Sequence, residues 1–126
     1  MSQRNVLIYK DPFTPPVRSV TLSLDENDRL RLYTLDVGAS VEAAWGSSDY
    51  EFWLDIEAPQ LPALHAALLA DSGGEAKSHD EGTDDTIAER CFDILVKRYT
   101  GEARATDGLH EFCKANAIKC RWSRWV

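Results

Sequence analysis

The stretch Asp36–Leu69, DVGASVEAAWGSSDYEFWLDIEAPQLPALHAALL, decides the fold. From Tyr50 onward it alternates. Tyr50, Phe52, Leu54 and Ile56 fall on one face of a strand, and Glu51, Trp53, Asp55 and Glu57 fall on the other. Leu61, Leu64, Leu68 and Leu69 then recur at helical spacing. The chain therefore passes from a strand into an amphipathic helix that can cover the strand's apolar face. The opposite face presents three carboxylates around a tryptophan.

Working outward toward the N-terminus, Val20, Leu22 and Leu24 alternate with Thr21 and Ser23, and Leu30, Leu32 and Thr34 alternate with Arg31, Tyr33 and Leu35. The intervening DEND cluster (residues 25–28) predicts a β-hairpin with Asn27 in the left-handed turn position. Val6–Tyr9 reads as a short strand or as part of an extended arm over residues 1–18, broken by the prolines of DPFTPP. Between the hairpin and the central strand, Val41, Ala44 and Trp45 fit a helical turn or a bulged edge strand bounded by Gly38 and Gly46.

Toward the C-terminus, residues 71–83 form a polar, glycine-containing loop. Thr83 or Asp84 can cap a second helix with a core stripe of Ile87, Cys91, Leu95 and Tyr99, widened by Phe92 and Val96. Asp84 and Asp85 suit that helix's N-terminal dipole end, and Lys97 and Arg98 its C-terminal end. A third helix begins near Thr106 or Asp107, buries Leu109, Phe112, Cys113 and Ala117, and stops at Asn116. The tail IKCRWSRWV alternates as a last strand with Ile118, Cys120 and Trp122 inward. Strands followed by helices predict an α+β fold in one domain spanning residues 1–126: a mostly antiparallel sheet of about four to five strands with about three helices packed on one face.

The net charge of −7 is unevenly spread: +2 over residues 1–24, −7 over 25–57, −6 over 71–93 and +4 over 94–126. Nucleic-acid binders concentrate lysine and arginine against phosphates, whereas this chain concentrates carboxylates, so neither nucleic acid nor an anionic membrane is an expected partner. Its bland explanation is the solubility that a modest negative charge confers. No apolar run reaches the length of a bilayer span, and the N-terminus lacks a signal-peptide core. Three cysteines, odd in number and without a C-x-x-C spacing, fit reduced thiols and a cytoplasmic location.

Catalytic and cofactor motifs do not emerge. Gly73–Gly74 lacks the spacing of a phosphate-cradling loop. Cys113 and His110 could pair on one helix, but Cys113 lies on the apolar stripe, where a thiol is inert. His110, Cys113 and Cys120 match no common zinc spacing, so no metal or cofactor is expected. His65 reads as a partly buried helix histidine, and His79-Asp80-Glu81 as at most a weak cation contact. Carboxylates around Glu51 and Asp55 leave open a second reading, a small enzyme or ligand-binding domain, which would need them in a cleft with opposed environments. Of four tryptophans, Trp122 shares the parity of the inward residues, while Trp53 shares that of the carboxylates and suits an interface anchor.

Asp36 and Gly38, the pair Trp45-Gly46, the strand opening Asp49-Tyr50-Glu51 and the leucines Leu61, Leu64 and Leu68 together resemble bacterial immunity proteins of polymorphic toxins, including contact-dependent growth inhibition systems. The resemblance extends over residues 19–125, with two later helices and a terminal strand after the turn at residues 116–118. It implies a non-enzymatic protein, a monomer or weak dimer, that binds the C-terminal domain of a cognate toxin in the cytoplasm. A basic nuclease-type toxin would be covered by an acidic surface that mimics phosphate and steers association. On this reading the toxin-binding residues are Asp36, Glu42, Asp49, Glu51, Trp53 and Asp55, with Asp80, Glu81, Asp84 and Asp85 as a second group. The basic tail around Lys119, Arg121 and Arg124 is the competing surface for an acidic toxin.

Overall fold

Strict alternation in three neighbouring segments builds the sheet. A computed structural model, which describes residues 4–10, 17–37, 49–71 and 86–125, has five strands: β1 (Arg4–Lys10), β2 (Val17–Leu24), β3 (Leu30–Val37), β4 (Asp49–Ile56) and β5 (Arg121–Trp125). They lie in sequence order as an antiparallel meander. A short 3-10 turn (Ala58–Gln60) and three helices, α1 (Leu61–Asp71), α2 (Ile87–Tyr99) and α3 (Ala105–Ala115), intervene between β4 and β5. The chain is an α+β protein, as the order of its elements predicts.

The register places Leu22 opposite Leu32 and Leu32 opposite Leu54, so apolar residues of successive strands meet on one face. Val20, Leu22, Leu24, Leu30, Leu32, Leu54 and Ile56 are buried there under Leu61, Leu64 and Leu68 of α1, Cys91, Phe92 and Leu95 of α2, and Leu109 and Cys113 of α3. α2 lies over β1 and β2, α3 over β3 and β4, and α1 packs against α2. A polar bridge crosses this layer: the hydroxyls of Thr34 and Thr106, both buried, are 2.8 Å apart.

Several local expectations change. Of the two alternatives for Val6–Tyr9 the strand is the one formed, lengthened to residues 4–10 as the paired edge strand β1 and bulged between Leu7 and Tyr9. At the β2–β3 turn Asp28, not Asn27, adopts positive φ (61°), because Asn27 and Arg29 donate their N–H groups to Asp25 Oδ1 at 2.8 and 3.0 Å. Thr86 caps α2 in place of Thr83 or Asp84: its hydroxyl accepts from Glu89 N while the Glu89 carboxylate accepts from Thr86 N, a reciprocal capping box. The stripe of α2 falls as expected at Cys91, Phe92, Leu95 and Tyr99, which are buried, but at its first turn Ala88 is buried and Ile87 is 39% exposed. α3 starts at Ala105, just ahead of Thr106 and Asp107, and Asn116 caps its C-terminal end as expected, but Ala117 is exposed with φ 57°, turning the chain so that Ile118 N reaches Cys113 O. Gly101 (φ 90°) donates its N–H to Ile8 O at 2.9 Å and ties the end of α2 to the bulged strand.

Leu54 sits at the centre of this core with no exposed surface. Leu54→Ala should lower the unfolding free energy by about 2–5 kcal/mol, read from chemical denaturation. Thr86→Ala, which removes only the cap, should cost about 1 kcal/mol in the same measurement.

Candidate functional site on the open face of the sheet

The same alternation that buries one face fixes the composition of the other. Along β4 that second face carries Glu51, Trp53 and Asp55; on β3 the residues opposite them are Leu35, Tyr33 and Arg31. Thr21 and Ser23 of β2 and Asn5 of β1 continue the rows, and Arg121 and Ser123 of β5 complete them on the other side. Among the described residues no helix packs on this face, and its central residues Arg31, Tyr33, Glu51 and Trp53 are half-buried. They line a shallow depression of about 390 Å³ formed by Asn5, Thr21, Ser23, Arg31, Tyr33, Glu51 and Trp53.

Its side chains are held by mutual contacts. The Arg31 guanidinium donates from Nε and Nη2 to Asp55 Oδ1 and Oδ2 at 2.6 and 2.9 Å, a bidentate pair. The hydrogen bonding to Asp55 raises the Arg31 pKa above its usual value, against a desolvation that lowers it. The same guanidinium lies 5.3 Å from the centroid of Trp53, and Tyr33 tilts against Trp53 with centroids 6.1 Å apart. Tyr33 donates its hydroxyl to Glu51 Oε1. Among the described residues Glu51 makes no ion pair, and a neutral phenol is what orients it.

The sequence-predicted residues divide on this frame. Glu51 and Trp53 share the open face. Asp55 shares it by parity, but only 4% of the residue is exposed and its charge is matched by Arg31, so it is not presented to a partner. Asp36 is on the other side of the sheet, where Arg18 holds it bidentately from Nε and Nη2 at 2.7 and 2.8 Å and donates from Nη1 to Ala103 O. That arrangement ties β2 and β3 to the approach to α3. It does not bring Asp36 to Glu51. Of Asp49 only the backbone is described, paired with Val37. Glu42, Asp80, Glu81, Asp84 and Asp85 lie outside the described residues, as do Trp45 and His79. What the sequence presents as an acidic face is therefore a mixed one, with Arg31 and Arg121 interleaved among the carboxylates.

Reading by element missed Arg31, Tyr33 and the polar residues of β1 and β2. The missing signal was the pairing register: in-phase alternation of β3 and β4 would have set Arg31 against Asp55.

Trp122 lies on the helix side of the sheet, as its parity requires, but at the rim: it is 36% exposed and stacked between Phe52 and His110, with centroids at 5.2 and 5.0 Å. Cys91 and Cys113 are buried, and burial pushes both thiols up to about 12, reinforced at Cys113 by neighbouring Cys120. A thiol held protonated is a poor nucleophile. Among the described residues no cluster of three or more histidine, cysteine or acidic side chains could hold a metal ion, and no helix is long and apolar enough to cross a membrane. Comparison with known protein families, curated proteins and solved structures finds no match to the chain.

Two measurements check this geometry. Arg31→Ala leaves the Asp55 carboxylate buried and unpaired and should destabilise the fold by about 2–3 kcal/mol, less than for a wholly buried pair because Arg31 keeps solvent contact; Arg31→Met with Asp55→Leu should recover most of that loss. Toward an aromatic disulfide reagent at pH 8, Cys91 and Cys113 of the native chain should react only at the rate of unfolding, whereas in denaturant all three cysteines should react at once.

Proposed function

We propose that this protein is an immunity protein that binds and neutralises a cognate toxin domain in the cytoplasm, using the open face of its sheet as the contact surface and performing no catalysis of its own. The observation that carries this reading is a sheet face on which no described helix packs, with an aromatic pair, Trp53 and Tyr33, at its centre, held among charged side chains by the contacts of Arg31 with Asp55 and of Tyr33 with Glu51. Tryptophan, tyrosine and arginine are the residues that dominate protein–protein contacts, and they do so best from positions held rigidly before binding. The resemblance in Asp36–Leu69 supplies the class of partner, and the net charge of −7 favours a basic one.

The shape of the face weighs against the small-enzyme alternative. Its depression is shallow and open, and Asp55 is closed off by Arg31, so Glu51 and Asp55 do not face a common substrate position as an acid–base pair would. The division of charge also refines how a basic toxin would be met. The net negative charge acts at long range, and the mixed-charge face makes the contact.

The test is genetic and biochemical together. Expressed with the C-terminal toxin domain encoded beside its gene, the chain should restore growth and co-elute with that domain one-to-one, with an association rate that falls as salt rises. Trp53→Ala, folded and otherwise unchanged, should weaken binding by about tenfold or more. A neighbouring gene without toxic activity, or a toxin domain that neither binds nor is inhibited, would overturn the proposal.

A further inference from the structure

Of the two charged side chains that line the depression, Arg31 is paired, and Glu51 has no ion-pair partner among the described residues. Arg31 is not available to a partner: drawing it away would strand the Asp55 carboxylate in a site where 4% of the residue meets solvent. A partner carboxylate therefore has no free cation in the depression and meets Glu51 besides. Glu51 stands at the other end of the row Asp55, Trp53, Glu51, so that Trp53 separates it from the Arg31–Asp55 pair. Its only hydrogen-bond partner among the described residues is the Tyr33 hydroxyl, which fixes the carboxylate without neutralising it. Around it are two aromatic rings and the neutral acceptors of Asn5, Thr21 and Ser23.

We propose that this depression receives the guanidinium group of an arginine side chain from the partner protein, with Glu51 as its counter-ion and Trp53 and Tyr33 as its walls. The inference rests on the toxin-binding reading above and specifies the contact it uses. A guanidinium is planar and weakly hydrated, lies against aromatic rings, and has five N–H donors. Glu51 accepts a charge-assisted pair of them, and the hydroxyls of Thr21 and Ser23 and the amide oxygen of Asn5 can accept the others. A depression of about 390 Å³ holds the head group and the last methylenes of such a side chain. The neutralised Arg31–Asp55 pair poses little repulsion, since its own charge is already matched. A lysine ammonium would satisfy Glu51 but, as a compact and strongly hydrated charge, would leave the aromatic walls less well used.

The experiment probes the site without the toxin. Amide NMR spectra of the full chain would be titrated with Nα-acetyl-argininamide, following the Trp53 indole N–H, which is identified by its loss in Trp53→Phe. A saturable shift is expected, absent with the neutral isostere Nα-acetyl-citrullinamide and weakened about fivefold or more in Glu51→Gln, which keeps an acceptor for Tyr33 and should leave the melting temperature unchanged. No saturable shift, an equal response to citrullinamide, or indifference to Glu51→Gln would overturn the guanidinium site. Toxin-domain binding measured on the same two proteins separates the claims. Tight binding that is equal in wild type and Glu51→Gln would overturn this site and leave the toxin-binding reading standing. An arginine response with no toxin-domain binding would overturn that reading and uphold the site.

Discussion

Side chains alternate across a strand with period two, so a pairing register commits every residue of the sheet to one face or the other. In β2, β3 and β4 the apolar set falls in phase, with Leu22, Leu32 and Leu54 in one transverse row. A slip of one residue between any two of these strands would turn leucines outward and place Arg31, Tyr33 or Glu51 under the helices. That penalty holds the meander in its register. It also means that α1, α2 and α3, amphipathic and all tethered between β4 and β5, cover only the leucine face. The open face is thus a consequence of the core, fixed to the same precision.

A sheet face left without a helix must hold its own side chains in place. Here it does so through cross-strand pairs: Arg31 with Asp55 and Tyr33 with Trp53 are direct neighbours in the β3–β4 register, and Tyr33 reaches diagonally to Glu51. Asp55 shows how far this goes, since a carboxylate on the solvent side of the sheet is nonetheless buried, roofed by the arginine that neutralises it. On the helix side, Arg18 and Asp36 repeat the bidentate motif for a different end, joining the sheet margin to the backbone before α3.

The architecture could be read from the sequence because it depends on periodicity, and period-two and helical stripes are local patterns. The errors fell where a neighbour decides the outcome. Thr86 outcompetes Thr83 and Asp84 as a cap because Glu89 stands three residues on and completes the reciprocal bonds. Asp28 takes the left-handed position because the Asp25 carboxylate organises the turn through Asn27. The site was half legible. Parity alone places Glu51, Trp53 and Asp55 together, but whether a carboxylate is free or spent depends on the strand beside it. Residues 38–48 separate β3 from β4, too many for a turn type to fix the pairing, and without that pairing Asp55 looks as available as Glu51.

The distinction between those two carboxylates bears on how such a face can recognise anything. Binding costs conformational entropy wherever a side chain must be immobilised, and long charged side chains cost the most. On this face the ordering has been done during folding: Trp53 is flanked by Arg31 and Tyr33, Tyr33 is fixed by its bond to Glu51, and Arg31 by two bonds to Asp55. A partner meeting it would lose little by freezing these groups further, so that even one well-placed contact would register in affinity. The charges used for internal order are by the same token withdrawn from recognition. What remains for a partner to read in the depression is the carboxylate whose neighbour is an uncharged hydroxyl, and the aromatic surface beside it.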